Sequence, residues 1–364
     1  MKLFSPTGLI ERRTLLRAAG VAFLAGLAPR AAWALAETDA VFASAYFDGQ
    51  GQYGVALLTE AGEIVHRYVL PERGHDAVFD PEGRRLVVFA RRPGTFASVI
   101  DAGDDAEPVV FHAPDGRHFY GHGRFSADGR LLYTTENDYD NARGVIGVYD
   151  ATDNFRRIGE FWSGGVGPHD MVMLPSGKHM LIANGGIETH PDFGRTTLNL
   201  ATMKPNLAVL DLANADVLGT HELSPDMHKL SIRHLSMSAD GAVWFACQNQ
   251  GDIHEMLPLA GSVTLDGNLR LLDLAEEDLR TMRGYIGSVC VNERAGSVVF
   301  TSPQGNVALE VDRSTGARRK RHELVDVCGA AARGGGYLLS SGQGVLDGRQ
   351  TGVAWDNHIV RRPA

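Results

Sequence analysis

The apolar and polar positions from residue 40 onward alternate in short stretches, with turn-forming residues at roughly every 8 to 12 positions. Alternation with a period of two is typical of β-strands, whereas the 3.6-residue spacing of an amphipathic helix is almost absent. The best helical candidate is residues 274–280, which would form about two turns. The pattern therefore predicts an all-β chain.

A turn that ends in glycine recurs along the chain and reveals a degenerate repeat. The clearest turns end at Gly83, Gly129, Gly177 and Gly241. Gly83 and Gly129 are 46 residues apart and Gly129 and Gly177 are 48 apart, while an insertion stretches the next interval to 64. Spacings of about 40 to 50 residues are those of four-stranded propeller blades. The repeat therefore predicts a β-propeller.

An apolar strand follows each turn and supplies the blade count. These strands cover residues 86–90, 131–135, 180–183, 243–247, 298–301 and 337–340, and residues 41–47 add a seventh. Only six inner strands precede them, so residues 352–360 are the best candidate for the missing one. A C-terminal strand that joins the first blade would close the ring and cover a sheet edge. We predict one domain over residues 37–364, a seven-bladed β-propeller with a shortened seventh blade; six blades are the alternative.

Five histidines occupy related places in this repeat. His75, His122, His169 and His234 each stand seven or eight residues before a turn glycine, and His358 lies in the predicted closing strand. Equivalent positions in successive blades face one axis, so we expect the imidazoles to converge. Neutral imidazole suits iron, copper and zinc, whereas calcium prefers oxygen. The register predicts a transition-metal site, with iron or copper favoured. The alternative is a structural ring whose imidazoles hydrogen-bond neighbouring blades and water.

Loops after the second strands lie on the same face of a propeller as the beginnings of the inner strands. Their polar residues are candidates to complete the metal site, to fix the histidine tautomers or to form a lid over the channel mouth. The candidates are Glu136, Asp138, Glu188, His190 and Asp192. The last three belong to a long insertion that begins at residue 184.

The first 36 residues have the features of a twin-arginine export signal. Arg12 and Arg13 supply the arginine pair, residues 18–28 form a weakly apolar stretch, and the small residues around Ala34 and Ala36 suit cleavage. The stretch is shorter than the roughly 20 residues of a membrane-spanning helix. The sequence therefore predicts a periplasmic protein with no membrane span in its mature chain. An ordinary Sec signal is the alternative.

The charge of the chain argues against nucleic-acid binding. Residues 1–36 hold five of the 35 basic and one of the 44 acidic residues, so the mature chain has a net charge of −13. Its one dense basic cluster is residues 318–321. A chain with this balance offers little to neutralise phosphates.

The three cysteines, Cys247, Cys290 and Cys328, have no zinc-binding spacing and form no CxxC pair. Cys290 and Cys328 fall in corresponding strands of adjacent blades, so a disulfide between them is one option, which only geometry decides. Cys328 could instead place its sulfur on the histidine ring, and a buried structural thiol is the third interpretation.

Several longer segments resemble the DUF1513 family and together span nearly the whole mature chain. They are residues 91–96, 121–123, 135–138, 183–192, 233–236 and 355–358. The resemblance implies an exported bacterial propeller-like protein of unknown function. It also implies a gene neighbourhood of iron uptake, with imelysin-like and di-haem oxidoreductase-like proteins as partners. The family name brings no catalytic residues with it.

Three functions are consistent with these observations. The leading hypothesis is a non-enzymatic periplasmic propeller that binds a metal, or a partner protein that handles iron, through the face that carries the histidines. The second is a metal-dependent redox enzyme or hydrolase, in which the ion activates water or an oxidant. The third is a scaffold whose histidines are structural. No nucleophile triad stands out in the sequence.

Overall fold

The computed structural model describes residues 40–101, 108–194 and 196–363, which form seven antiparallel sheets arranged as the blades of a ring. The predicted export signal lies outside the described residues. In blade 1 the chain forms β1 (Phe42–Phe47), β2 (Tyr53–Leu58) and β3 (Ile64–Leu70). Blade 2 consists of β4 (Gly74–Phe79), β5 (Arg85–Ala90), β6 (Phe96–Asp101) and β7 (Val109–His112). Blade 3 consists of β8 (Arg117–Phe125), β9 (Leu131–Asp138), β10 (Arg143–Asp150) and β11 (Arg156–Trp162).

The next three blades repeat the four-stranded pattern. Blade 4 consists of β12 (Pro168–Met173), β13 (His179–Asn184), β14 (Asn206–Asp211) and β15 (Val217–Glu222). Blade 5 consists of β16 (Leu230–Met237), β17 (Val243–Asn249), β18 (Ala260–Val263) and β19 (Leu269–Leu271). Blade 6 consists of β20 (Ser288–Asn292), β21 (Ser297–Ser302), β22 (Val307–Asp312) and β23 (Arg318–Glu323).

Blade 7 is shortened, as the sequence predicts. It consists of β24 (Val327–Arg333), β25 (Gly336–Ser341), β26 (Val345–Leu346) and β27 (Arg349–Gln350). Its two outer strands are thus two residues long each. The chain then returns to blade 1 as β28 (Ala354–Trp355) and β29 (Val360–Arg361).

The ring closes through the C-terminal strands. Trp355 of β28 pairs with Tyr46, and Val360 of β29 pairs with Ala43, so both strands add to the inner edge of β1. This confirms seven blades and the predicted closure, and the six-bladed alternative is wrong. The closing strand is not continuous over residues 352–360. Four residues, 356–359, separate β28 from β29, and this break carries His358 toward the axis.

Burial explains the sequence pattern of the strands. Second strands are buried on both faces because a blade packs against a neighbour on either side, and β21 is buried at all six positions. Outer strands such as β11 alternate between exposed and half-buried positions. Apolar clusters between adjacent blades, with residues such as Phe89, Phe245 and Phe300, form the core.

The turn glycines have the conformation that explains their recurrence. Gly83, Gly129, Gly177 and Gly241 all have positive φ, between 66° and 85°. Each donates its N–H to the carbonyl three residues earlier and so closes the turn between an inner and a second strand. Residues with a Cβ rarely adopt this conformation, so the repeat is visible in the sequence as glycine.

Helical structure is confined to loops. The helix α1 spans Glu276–Met282, two residues later than the segment predicted from the sequence. Short 3₁₀ turns occur at Pro191–Phe193, Leu200–Thr202 and Pro225–Met227. None of the described helices is long and apolar enough to cross a membrane.

Candidate functional site: a histidine cluster on the propeller axis

The inner strands are irregular where they carry histidines. Pairing between the first and second strands of blades 2 to 5 shifts register at the same level of each blade. The shifts fall between Gly74 and Ala77, Phe119 and Gly123, Pro168 and Asp170, and Ile232 and His234. Such bulges re-aim side chains out of the regular strand alternation. Each histidine of these blades lies within or directly after its bulge.

The structure brings all five predicted histidines together. Their exposed fractions lie between 1% and 9%. The ring centroids of neighbouring members are 4.7 to 5.9 Å apart, from the closest pair, His169 and His234, to the widest, His75 and His169. We call His75, His122, His169, His234 and His358 the histidine cluster.

Close packing within the cluster depends on a glycine. Gly121 has a φ of 104°, and a Cβ built there would come within 2.5 Å of His75 Cδ2. Only glycine therefore lets blade 3 approach His75 this closely while His122, the next residue, turns toward the axis.

Aspartates from neighbouring blades hold His122. Its Nδ1 donates to Asp76 Oδ2 at 2.9 Å, and Asp170 Oδ1 is 3.6 Å from the same nitrogen. Arg124 lies between the two carboxylates, 3.5 Å from Asp76 and 3.2 Å from Asp170. With the proton on Nδ1, the lone pair of His122 is on Nε2, which faces the cluster.

His75 also contacts an aspartate, but at a longer distance than His122 does. Its Nδ1 is 3.4 Å from Asp356 Oδ1, and Arg91 and Arg73 each bind the same carboxylate, at 2.8 and 2.6 Å. His169 differs, because its Nδ1 accepts a hydrogen bond from Arg233 Nη1 at 3.3 Å. That bond places the proton of neutral His169 on Nε2, which makes this nitrogen the poorest metal ligand of the cluster.

Several imidazole nitrogens of the cluster lack hydrogen-bond partners among the described residues. These buried atoms are His122 Nε2, His358 Nε2, and both Nδ1 and Nε2 of His234. An unsatisfied buried polar atom costs about 1–3 kcal/mol, so their accumulation at one place calls for a ligand. Two sets of three have ligand atoms within 4.8 Å of one another, and both contain His122. They are His75, His122 and His358, and His122, His169 and His234.

Burial favours the uncharged form of four members of the cluster. Desolvation lowers the pKa of His75, His169 and His234 well below the ordinary value, and lowers that of His358 to about 4. Neutral imidazole is the form that binds metals. Desolvation by itself would raise the pKa of the Asp76 carboxylate, but its interactions with His122, His358 and Arg124 outweigh that effect and hold the pKa well below the usual range, so Asp76 stays ionised.

The polar residues expected to support the histidines have other partners. Glu136 is fully buried within blade 3 and accepts hydrogen bonds from Tyr149 at 2.8 Å and Arg157 at 3.0 Å. Asp138 accepts a hydrogen bond from Asn141 at 2.8 Å. Among the described residues, the carboxylates nearest to the histidine rings are Asp76, Asp170 and Asp356, which the sequence pattern did not single out.

The insertion lies over the edge of blade 3. Glu188 is half-buried, and its charge acts on the buried phenol of Tyr120. His190 packs its ring against Tyr139, with centroids 5.0 Å apart, and its Nδ1 accepts from the N–H of the exposed Asp192. These three predicted residues therefore lie beside blade 3, outside the histidine cluster.

All three cysteines are free, so the disulfide considered for Cys290 and Cys328 does not form. Burial raises the pKa of both thiols to about 12. Cys328 Sγ donates to the backbone carbonyl of Asp356 at 3.2 Å. It supports the closing segment as a buried thiol.

The sequence contains one indication of the aspartates that contact the histidine rings. Asp76 and Asp170 directly follow His75 and His169, so a His-Asp pair recurs in blades 2 and 4 and brackets His122 of blade 3. The contribution of Asp356 depends on the break in the closing strand, which the sequence pattern does not reveal.

The fold and the site define a class: a seven-bladed β-propeller with buried histidines gathered on its axis. The chain belongs to the DUF1513 family, described as a protein of unknown function, whose model matches residues 68–362. No curated protein matches it in sequence.

Solved structures resemble the chain in fold alone. The hydrazine synthase of Kuenenia stuttgartiensis is 12% identical with a TM-score of 0.59, covering 80% of this chain and 86% of that one. The β-propeller domain of Myceliophteria thermophila Cps50 (Swd1) is 11% identical with a TM-score of 0.60, covering 87% and 96%. A chain of a nidogen/laminin complex is 12% identical with a TM-score of 0.51, covering 78% and 93%.

Proposed function

We propose that this propeller binds one divalent transition-metal ion, iron or copper, through the histidine cluster. The observation that carries the proposal is the set of buried imidazole nitrogens with no partner among the described residues, on His122, His234 and His358. Nitrogen ligands of this kind suit iron, copper and zinc.

His122 is the central ligand, because it belongs to both candidate sets. The set with His75 and His358 is favoured, since His75 and His122 each turn Nδ1 toward an aspartate and Nε2 toward the cluster. Carboxylates that hold histidine ligands in this way raise their basicity and fix their tautomer. His234, with two unpartnered nitrogens, is the next ligand available. Because both sets share His122, we expect one ion.

The spacing fits an ion after a small inward movement. Metal–nitrogen bonds of about 2.0–2.1 Å place tetrahedral nitrogens roughly 3.3 Å apart, whereas those of each set lie within 4.8 Å of one another. Shifts of about 1 Å, well within side-chain motion, would close the difference.

We place this metal-binding protein in the periplasm, exported by the twin-arginine route, where it would serve iron uptake without catalysing a reaction. The arginine pair at Arg12 and Arg13 and the family resemblance support this part of the proposal. The partners that fit it are imelysin-like and di-haem oxidoreductase-like proteins.

Calorimetric titration of chelator-treated protein with Fe²⁺ under anaerobic conditions, and with Cu²⁺, tests the metal site. We expect one ion per chain. His122→Gln should weaken metal affinity by at least about 100-fold, because losing a ligand should cost no less than losing a residue that supports one. His358→Gln provides a second test if His122→Gln does not fold.

The matched control is His254→Ala, which removes a solvent-exposed histidine that is not part of the buried cluster. It should bind as the wild type does. Absence of any bound ion in the wild type, or equal affinity in wild type and both glutamine variants, would leave the scaffold hypothesis instead.

A further inference from the structure

A cavity of about 490 Å³ opens beside the histidine cluster, on the side of blades 6, 7 and 1. The inner strands of blades 6 and 7 carry no histidine at the level of the cluster. The walls of the cavity are aromatic as well as polar. Wall residues that matter here are Tyr46, Trp355, Tyr285, Arg73, Arg91 and Asp356. Because Asp356 also contacts His75, the cavity reaches to within one residue of the cluster.

Two guanidinium groups in this cavity share one carboxylate. Arg73 binds Asp356 Oδ2 at 2.6 Å through Nε, and Arg91 binds Oδ1 at 2.8 Å through Nη1. One positive charge is therefore left over at Asp356, and Arg91 Nε is buried with no hydrogen-bond partner among the described residues. The acid across the cavity is Asp326, on the wall formed by blade 7, so an anion would bind on the side of the arginines.

Arg92, the residue after Arg91, adds a positive charge close to this cavity. It is half-buried, and its Nη1 is buried with no hydrogen-bond partner in the described parts of the chain. The groups that act on its charge are the phenols of Tyr120 and Tyr285 and the like charge of Arg91, and burial lowers its pKa. Arg91 and Tyr285, which both act on the charge of Arg92, line the cavity, so we infer that Arg92 lies next to the cavity wall. A guanidinium in this state lacks the anion that would offset its desolvation.

We propose that this cavity binds a small organic carboxylate, with its carboxyl group on Arg91 and Arg92 and its carbon body against Tyr285 and Trp355. Inorganic phosphate would satisfy the guanidinium groups but would leave most of a 490 Å³ space and its aromatic walls unused. The site uses none of the proposed metal ligands, so it stands whether or not the cluster holds an ion.

Titration of metal-free protein with benzoate by calorimetry, with inorganic phosphate in a parallel titration, tests the proposal. We expect millimolar or tighter binding of benzoate, weaker binding of phosphate, and a loss of about tenfold or more in Arg92→Met, as for a lost charge-assisted hydrogen bond. Arg143→Met is the matched control, because Arg143 begins β10 on the same face and its nearest acid, Glu160, is 4.0 Å away.

A thermal melt distinguishes ligand binding from a structural role of Arg92. Removing a half-buried charge with no ion-pair partner among the described residues should leave the Tm of Arg92→Met unchanged or higher, and the same benzoate concentration should raise the Tm of the wild type more than that of this variant. The proposal fails if wild-type protein binds no benzoate at millimolar concentration, if phosphate binds more tightly, or if Arg92→Met and Arg143→Met bind benzoate equally. Arg92→Lys takes the place of Arg92→Met in these comparisons if the latter does not fold.

Discussion

Acid should destabilise the metal-free protein well above the pH at which carboxylates titrate. His75, His169, His234 and His358 are buried in the neutral form, and desolvation lowers the pKa of each in the folded state. In the unfolded chain a histidine takes up a proton near its ordinary pKa of about 6.5. Below that pH the unfolded state binds more protons than the folded state, so the free energy of unfolding falls as the pH falls.

His358 sets the scale of the effect. Its pKa of about 4 in the folded state lies far enough below 6.5 that lowering the pH from 7 to 5 costs roughly 2 kcal/mol for this one group. The other three shift in the same direction and add to the loss. An ordinary domain is stable by only about 5–15 kcal/mol, so losses in this direction are large. We therefore expect the metal-free protein to lose stability between pH 6.5 and about 4, the window between the ordinary pKa and that of folded His358.

Urea unfolding of chelator-treated protein at intervals from pH 7.5 to pH 5 measures this loss. His358→Leu should flatten the pH dependence by roughly one proton, since the variant no longer carries that group. His254→Ala, at an exposed position, should keep the wild-type slope. A free energy of unfolding that stays level to within about 1 kcal/mol over this range would refute the argument that burial holds these four histidines neutral.

Variants of two buried carboxylates, Asp76 and Glu136, should distinguish a residue that supports the histidine cluster from one that stabilises the fold. Asp76→Asn weakens the hold on His122, so we expect a loss of about 10–100-fold in metal affinity with the fold intact, measured by calorimetry; unchanged affinity would contradict the role assigned to Asp76. Glu136→Ala removes the hydrogen-bond acceptor of buried Tyr149 and one of the two carboxylates that pair with Arg157, and should cost about 1–3 kcal/mol in urea unfolding with metal affinity unchanged. A weaker metal affinity in a folded Glu136→Ala protein would restore the role first expected of Glu136.

The blade count was predictable because one conformational requirement repeats. The turns that end at Gly83, Gly129, Gly177 and Gly241 need positive φ, which favours glycine and so leaves a visible period in the sequence. The closing strand was predictable from the need to pair β1, since an unpaired inner edge would be exposed.

The convergence of the histidines was predictable from the same register, but their supports were not. Whether a carboxylate contacts a neighbouring blade depends on the bulge that turns it, and a bulge is a register shift between strands with no fixed residue type. Glu136 and Asp76 are both acids near the face that carries the histidines, and their residue type does not distinguish them. Glu136 lies in the regular pairing of β9 and faces Tyr149, whereas Asp76 lies inside the bulge of β4 and faces the axis.

The two proposed sites complement each other in charge. Beside His122, Asp76 and Asp170 face one guanidinium, that of Arg124, so the immediate surroundings of His122 carry an excess negative charge, while Arg233 adds a positive charge at His169. Beside His75, Asp356 faces both Arg73 and Arg91 and leaves an excess positive charge. A cation among the histidines is stabilised by the charges beside His122, and a carboxylate in the cavity by those beside His75. Their mutual attraction acts across Asp356, and because binding free energies are reciprocally linked, each ligand would tighten the other by the same factor.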